Sequence, residues 1–231
     1  MGKIKVFHGS DHIIKKPEYL GGKKDNDYGN GFYTTEYEDR ARSWAALNGD
    51  PQKSVVNCYE IDLESLQILD LNDYGVLAWV AEVLSNRGVN QEAAAFVGSK
   101  LVEMYKVDSG TADIIKGYRA DDSYTQVIEA FLMNQINIAE VERMFYKGSL
   151  GNQIFLKSQK SFEYIEWIEA YEVQLEERDI ENDFRARKEV NKFLQERVKA
   201  ILVDGYTVPG ITAQYAVQNV LTYQKEGKYY V

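Results

Sequence analysis

The chain has 231 residues and a formal net charge of -9, from 36 acidic and 27 basic side chains. This length is enough for one domain with an appendage or for two small domains. An acidic chain lacks the surplus of lysine and arginine that sequence-independent binding to nucleic acid or to an anionic membrane requires. One cysteine and two histidines exclude an internal disulfide and disfavour a metal site built from Cys or His.

The hydropathy pattern argues against membrane insertion. No apolar run approaches the roughly 20 residues of a membrane-spanning helix, and the lysine-containing start has no apolar run typical of a signal peptide. We therefore expect a cytoplasmic protein without a membrane-embedded segment. Cys58 lies in the strand-like run 54–61, so we expect it to be buried as a small hydrophobic residue.

The first half of the chain reads as short strands and helices separated by turn residues. Its predicted strands are 4–8, 31–35, 54–61 and 66–71, with a polar loop at 15–30. Its predicted helices are 36–48, 73–88 and 90–104, where apolar residues recur at the helical period. Asp73 and Asn90 open the last two of these helices and are their predicted N-caps.

The second half continues this mixture. A strand is predicted at 113–117, helices at 122–133 and 138–146, strands at 152–157 and 164–173, and a long amphipathic helix at 181–202. Residues 207–231 contain only strand-like pieces. Mixed short strands and helices in this order predict an α+β fold. Residues 1–170 are the predicted main domain, and residues 171–231 are a C-terminal extension, either docked or a small helical lobe.

Two short motifs near the N-terminus carry most of the chemical information. They are Phe7-His8-Gly9-Ser10 at the end of the first predicted strand and Gly29-Asn30-Gly31-Phe32-Tyr33 at the start of the second. Nicotinamide is a flat aromatic amide joined to ribose, so a protein that holds it needs an aromatic face and a backbone N–H/C=O pair. Gly9 lets the backbone approach such an amide closely. His8 can donate to a ribose hydroxyl, and Tyr33 offers a stacking face.

Together these motifs resemble the signature of ADP-ribosyltransferases of the His-Tyr-Glu class, which includes the poly-ADP-ribose polymerases and diphtheria toxin. The run 27–35, followed by Ala41, Trp44 and Ala45, more closely resembles a bacterial domain-of-unknown-function family of that type. This resemblance includes 117–122 and 152–155 and covers about residues 3–168. It implies an α+β fold of split mixed or antiparallel sheets with surrounding helices, and NAD as the substrate. The C-terminal helical extension lies outside it.

The resemblance assigns roles residue by residue. His8 would contact ribose hydroxyls, Gly9 would grip the carboxamide through its backbone, and Tyr33 would stack on nicotinamide. Trp44 stands at the offset of a second aromatic residue that closes the sandwich in the polymerases. Further cofactor contacts are expected at Ser10, Gly31, Thr34, Asp121 and Asp122.

The chain departs from the class at two positions. The glutamate that opens a late strand in the class is Gln153 here, and a serine that holds the carboxamide in the polymerases is Ala41. Glutamine can hydrogen-bond a ribose hydroxyl, but it can neither act as a base nor supply charge. His8, Tyr33 and Gln153 are thus the predicted catalytic residues, with weak turnover and no chain elongation expected.

Each of these side chains also has a purely structural interpretation. His8 can simply end a strand, and Tyr33 and Trp44 can be core aromatics. Asp121 or Asp122 can cap the helix that follows, and Gln153 can be an ordinary strand residue.

The predicted function is an NAD-dependent mono-ADP-ribosyltransferase that modifies a macromolecule and releases nicotinamide, with NAD hydrolysis as a side reaction. The acidic composition favours a protein acceptor over nucleic acid. A second interpretation, which Gln153 favours, is a module that binds NAD, ADP-ribose or a protein without turnover. A third is a structural or regulatory protein whose helix 181–202 docks on another chain.

Overall fold

The computed structural model describes residues 2–48, 53–89, 92–119, 122–147, 152–174, 177–224 and 228–230. Within these ranges the chain forms nine β-strands and seven α-helices. The strands are β1 (Lys3–Ser10), β2 (Phe32–Thr35), β3 (Val55–Asp62), β4 (Ile68–Asp70), β5 (Ile114–Tyr118), β6 (Asn152–Leu156), β7 (Ile165–Glu172), β8 (Thr222–Gln224) and β9 (Lys228–Tyr230). The helices are α1 (Glu38–Asn48), α2 (Gly75–Arg87), α3 (Glu92–Tyr105), α4 (Asp122–Leu132), α5 (Ile138–Lys147), α6 (Glu177–Asp204) and α7 (Ala213–Gln218), and 3-10 helices cover Leu71–Tyr74 and Gln159–Glu163.

Strands β1 to β7 form one sheet in the order β4-β5-β6-β2-β1-β3-β7. Neighbouring strands are antiparallel except β4 and β5, which are parallel. β8 and β9 form a separate antiparallel hairpin. A mainly antiparallel sheet with helices between its strands confirms the predicted α+β class.

The sheet has a narrow seam between β1 and β2. β1 pairs with β3 over its whole length, from Lys3 to Ser10, and every residue of β2 pairs with β6. In contrast, the described pairing between β1 and β2 consists of the Phe7–Thr35 pair. Backbone polar groups that face the seam beyond this pair need partners other than a strand ladder.

Side chains alternate between the two faces of the sheet. On one face, Tyr33 and Phe155 pack against the helices in the main core cluster. On the other face, Val6 of β1 shares a second cluster with Phe32 and Ile154, which lie across the seam. Apolar packing thus ties together two halves of the sheet that share little backbone hydrogen bonding.

The C-terminal residues pack on the helical face of the sheet. Val190 of α6, Ala213 and Ala216 of α7, and Leu221 are all buried in the main core cluster. The Tyr105 hydroxyl of α3 donates to the backbone oxygen of Ala216 over 2.7 Å. This part of the chain therefore contributes to the same core as the sheet, although it lies outside the resemblance.

Some local details differ from the sequence-based expectation. Residues 213–218 form a helix rather than a strand-like piece, because Thr212 caps it by accepting from the Tyr215 N–H over 3.4 Å and two alanines reach the core. Asp73 is not the N-cap of α2; it lies inside the preceding 3-10 helix. The predicted cap Asn90 lies outside the described residues. None of the helices in the described ranges combines the length and the apolar character that crossing a membrane requires.

Candidate functional site

His8 lies on β1 where this strand leaves β2. Its Nδ1 is 2.7 Å from the backbone oxygen of Tyr33, and because a carbonyl only accepts, Nδ1 carries the proton and donates. His8 is half-buried, and the partial removal of its ring from water lowers its pKa to about 4, against the opposing effect of this hydrogen bond, so the ring is neutral near pH 7. Nε2 is then an acceptor, to which no described residue donates. The predicted contact of His8 with ribose hydroxyls stays a prediction, in which Nε2 of this tautomer can take part only as an acceptor.

His8 lies in a cluster of rings with Phe32 and Trp44, and Arg119 packs on Trp44. We call these four residues the aromatic corner. The His8 ring centroid lies 4.6 Å from that of Phe32 and 6.4 Å from that of Trp44, and the Arg119 guanidinium lies 5.2 Å from the centre of the Trp44 ring. Trp44 is only 5% exposed, and among the described residues no hydrogen-bond partner reaches its Nε1. The described ring contacts include none between Trp44 and Tyr33, so their sandwich around nicotinamide stays a prediction.

Tyr33 joins the aromatic corner to a polar network. Its hydroxyl donates to the backbone oxygen of Gly29 over 2.8 Å and accepts from the Tyr28 N–H over 3.0 Å. Its half-buried ring lies 4.7 Å from the Phe155 ring and stacks at 6.3 Å on the ring of Tyr28. Burial raises the pKa of Tyr33, so the hydroxyl keeps the proton that it donates.

Gln153 lies on β6, opposite Thr35 of β2 and Gly117 of β5. Its side chain is buried, and Nε2 donates to Asp27 Oδ2 over 2.7 Å and to the backbone oxygen of Tyr118 over 3.1 Å. The amide nitrogen is thus engaged within the protein. No described residue donates to Oε1, so this oxygen has unused acceptor capacity.

Asp27 is the centre of the polar network and is not among the residues predicted from sequence to form the site. Its Oδ1 forms an ion pair with Nε of Arg87 over 2.9 Å. Its backbone oxygen accepts from Nδ2 of Asn86 over 3.1 Å, and the same nitrogen lies 3.1 Å from Oε1 of Glu82. The network therefore holds a buried carboxylate directly beside Gln153.

Gly9 and Gly31 are required by close packing. A Cβ on Gly9 would lie 1.8 Å from the backbone oxygen of Ala41 and 2.5 Å from the nitrogen of Ala45. A Cβ on Gly31 would lie 2.4 Å from the Phe155 ring. The packing of the fold alone therefore explains why both positions are glycine, and their contacts with a cofactor stay predictions.

The hydroxyls of Ser10 and Thr34 are bonded within the protein. Ser10 donates to the backbone oxygen of His12 over 2.6 Å and accepts from Nδ2 of Asn57 over 3.0 Å. Thr34 donates over 2.9 Å to the backbone of β6. A predicted contact of either hydroxyl with a cofactor would share these bonds, because a hydroxyl can donate once and accept twice.

Asp121 and Asp122 are the remaining residues predicted to contact the cofactor. Asp121 is outside the described residues, and Asp122 is the first residue of α4. Their cofactor contacts stay predictions. In the described ranges, no group of three or more His, Cys, Asp or Glu side chains is placed to hold a metal ion.

Sequence reasoning misses several residues that organise the site, namely Asp27, Asn57, Arg87 and Arg119. Asp27 is the first residue of the run 27–35 and Arg119 lies in 117–122, so both belong to segments that carry the resemblance. Their contacts are with residues distant in sequence, which no local pattern predicts. Asn57 has a clearer signal, because it is the polar residue in the apolar run Val55–Cys58. Its side chain is fully buried, and its Oδ1 accepts from the backbone N–H of Ile14 over 2.7 Å.

Comparison with known proteins gives a family match. Neither a curated protein nor a solved structure matches the chain. The family model described as "Protein of unknown function (DUF3990)" matches residues 4–167, from β1 into β7. This range contains His8, Tyr33, Gln153 and Asp27 and ends before α6. Because the match covers most of the sequence, the chain belongs to the DUF3990 family.

Proposed function

We propose that this protein is a mono-ADP-ribosyltransferase that uses NAD, releases nicotinamide and transfers ADP-ribose to a protein acceptor. One observation carries the proposal: three segments of the chain form one connected unit at the seam. His8 bonds the Tyr33 backbone over 2.7 Å, and the Tyr33 hydroxyl bonds the N–H of Tyr28, the residue after Asp27. Asp27 in turn bonds Gln153 over 2.7 Å. The segments that carry the resemblance are thus linked by hydrogen bonds, which supports a binding site shared between them.

The polar groups of this region and of the aromatic corner match the carboxamide, the ribose and the diphosphate of NAD. The indole N–H of Trp44 is a buried donor without a described partner, and it can bond the carboxamide oxygen in place of the serine that Ala41 replaces. The acceptors Nε2 of His8 and Oε1 of Gln153 can take protons from ribose hydroxyls in hydrogen bonds. Arg119 supplies positive charge for the diphosphate.

The proposed reaction breaks the bond between C1′ of ribose and the nicotinamide nitrogen. The electron pair of this bond leaves with nicotinamide, which departs neutral, and the ribose carries the positive charge as an oxocarbenium ion. A nucleophile of the acceptor then bonds to C1′ and loses its proton to solvent. Neutral His8 adds no charge beside this cation, and the nearby Asp27 carboxylate favours it. Water in place of the acceptor gives NAD hydrolysis.

A second candidate function is a binding module that holds NAD or ADP-ribose without turnover. The observation in its favour is the buried amide of Gln153 at the position where the resembling enzymes carry a glutamate. An amide can orient a hydroxyl but cannot remove its proton.

Nicotinamide release separates the two candidates. The purified full chain is incubated with NAD, nicotinamide is quantified by chromatography, and NAD binding is measured by calorimetry. Tyr33→Ala is compared with Tyr37→Ala, because Tyr37 is 54% exposed and provides the same truncation on the surface. We expect release by the wild type and Tyr37→Ala, and at least tenfold slower release by Tyr33→Ala. Binding without release would support the module, and absence of both would reject both candidates.

The acceptor is tested separately with labelled NAD. Protein and nucleic-acid mixtures are incubated with the chain, and ADP-ribose adducts are located by mass spectrometry. The net charge of -9 leads us to expect adducts on protein. Adducts confined to nucleic acid would contradict the proposed acceptor class while leaving the NAD reaction intact.

A further inference from the structure

Asp27 and Gln153 form a buried pair whose geometry fixes the atom that faces a ligand. Each is only 3% exposed. Nε2 of Gln153 donates to Asp27 Oδ2 over 2.7 Å and to the Tyr118 backbone oxygen over 3.1 Å. Turning the amide over would place its own oxygen against these two acceptors, which disfavours the flipped orientation. Oε1 is therefore held on the side away from Asp27.

A glutamate at position 153 would conflict with this arrangement. One of its oxygens would replace Nε2, close to the Asp27 carboxylate and to the carbonyl of Tyr118. Two carboxylates at hydrogen-bond distance cannot both ionise easily, so one of them would have to take up a proton. Arg87 pairs through Nε with the other oxygen of Asp27 over 2.9 Å, so it supplies one positive charge against what would be two negative charges. A carboxylate at position 27 thus requires a donor, such as an amide, at position 153.

We infer that Asp27 is a positioning residue of the proposed transferase site: it holds Gln153 with Oε1 toward the ribose and carries the negative charge that a glutamate at position 153 would supply. This inference rests on the proposed function. The pair bears one negative charge, as a single glutamate does, but the charge and the ligand-facing oxygen belong to different side chains. Oε1 of Gln153 orients the ribose hydroxyl, and Asp27 provides the charge behind it.

The backbone around Asp27 supports this role. Asn86 donates to the Asp27 carbonyl over 3.1 Å, and the next residue, Tyr28, donates its N–H to the hydroxyl of Tyr33 over 3.0 Å. The position of Asp27 is therefore coupled to the ring of Tyr33 as well as to Gln153. A shift of Asp27 would disturb both at once.

A charge-swap experiment on the full-length chain tests the inference. The variants are Asp27→Asn, Gln153→Glu and the double variant Asp27→Asn/Gln153→Glu, which moves the carboxylate to position 153 and the donor to position 27. Asp25→Asn is the matched control, because Asp25 is an exposed carboxylate in the same loop. The readouts are kcat and KM for nicotinamide release, the Kd for NAD, and the thermal midpoint.

The expected results follow from the pairing. Asp27→Asn keeps an acceptor for Gln153 but loses the charge, so kcat falls at least tenfold while KM changes less than threefold. Gln153→Glu lowers the thermal midpoint and kcat, because two carboxylates face each other. The double variant regains at least tenfold in kcat over Gln153→Glu, since the amide introduced at position 27 can donate to the carboxylate introduced at position 153. Asp25→Asn matches the wild type.

Several outcomes would overturn the inference. If kcat of Asp27→Asn equals that of Asp25→Asn, or if Gln153→Glu is faster than the wild type at an unchanged thermal midpoint, Asp27 does not position Gln153 and the transferase proposal stands alone. A wild-type chain that neither binds NAD nor releases nicotinamide removes the proposed function and the inference together. If Asp27→Asn does not fold, kcat of Gln153→Glu is compared with that of the double variant, and the absence of the expected tenfold gain would overturn the inference. If NAD binds without turnover, we expect Gln153→Glu to weaken the Kd for NAD and the double variant to restore it, and equal Kd values for these two variants would overturn the inference.

Discussion

The imidazole of His8 donates from Nδ1 to the backbone oxygen of Tyr33 over 2.7 Å, across the seam between β1 and β2. At this point the described strand pairing has ended at Phe7–Thr35. A side chain thus satisfies a carbonyl that a strand ladder does not. The bond requires the proton on Nδ1 and leaves Nε2 as an acceptor, so the protonation state of His8 matters for both the fold and the proposed site.

Acidification should destabilise the protein through His8. The folded-state pKa is about 4 and the ordinary value is 6.5, so between these values the unfolded chain binds more protons than the folded chain. The free energy of unfolding contributed by His8 is therefore fully present above pH 6.5, decreases as pH falls, and is lost below about pH 4. The loss amounts to at most about 3 kcal/mol. Urea unfolding at several pH values measures it.

The carboxylates also titrate in acid, so the informative quantity is a difference between variants. His8→Asn keeps an amide donor for the Tyr33 carbonyl but cannot titrate, and it should flatten the profile between pH 6.5 and pH 4. His12→Asn is the control, because His12 is exposed. Equal flattening by both variants would show that burial of His8 is not the cause.

Gly9→Ala should destabilise the protein strongly. The new Cβ would lie 1.8 Å from the Ala41 oxygen and 2.5 Å from the Ala45 nitrogen, and both obstacles belong to the backbone of α1. The helix would have to move off β1, which we expect to cost about 3 kcal/mol or more. Gly2→Ala is the control, since nothing lies within 4 Å of its added Cβ. A urea midpoint for Gly9→Ala equal to that of Gly2→Ala would contradict the observed packing of α1.

The local parts of this fold follow from sequence, but the contacts between distant segments do not. The pattern predicts a strand at 31–35, and β2 is Phe32–Thr35; the apolar run around Cys58 predicts burial, which the structure confirms. Both predictions depend on the pattern of residues that are neighbours in the sequence. The bond between Asp27 and Gln153 joins positions 126 residues apart, and no local pattern encodes it. Helix α7 was missed because it is short and its stability comes from a cap and from packing against the core.

Tyr33→Phe should lower stability while keeping the ring. The variant removes the hydroxyl that bonds the Gly29 carbonyl and the Tyr28 N–H, and leaving such buried groups without a partner costs about 1–3 kcal/mol. Tyr37→Phe removes the same atom from an exposed ring and should change the free energy of unfolding by less than about 0.5 kcal/mol. Thermal unfolding compares the two. Equal midpoints would mean that the Tyr33 hydroxyl does not hold the loop before β2.

Trp44→Phe should weaken NAD binding more than it weakens the fold. The indole N–H of Trp44 is buried without a described partner, so in the proposed complex it gains a hydrogen bond that phenylalanine cannot make. Loss of that bond corresponds to about 3- to 10-fold in Kd.

Trp167→Phe is a closely matched control for this variant. Its Nε1 also has no described partner, and Lys15 lies 5.2 Å from its ring centre as Arg119 does from that of Trp44, but Trp167 lies on β7, which is at the edge of the sheet beyond β3. Both changes should cost on the order of 1 kcal/mol in stability, because each removes part of a packed ring. Calorimetry with NAD should then separate them, with a weaker Kd for Trp44→Phe and an unchanged Kd for Trp167→Phe. Equal Kd values for the two variants would remove Trp44 from the proposed nicotinamide contact.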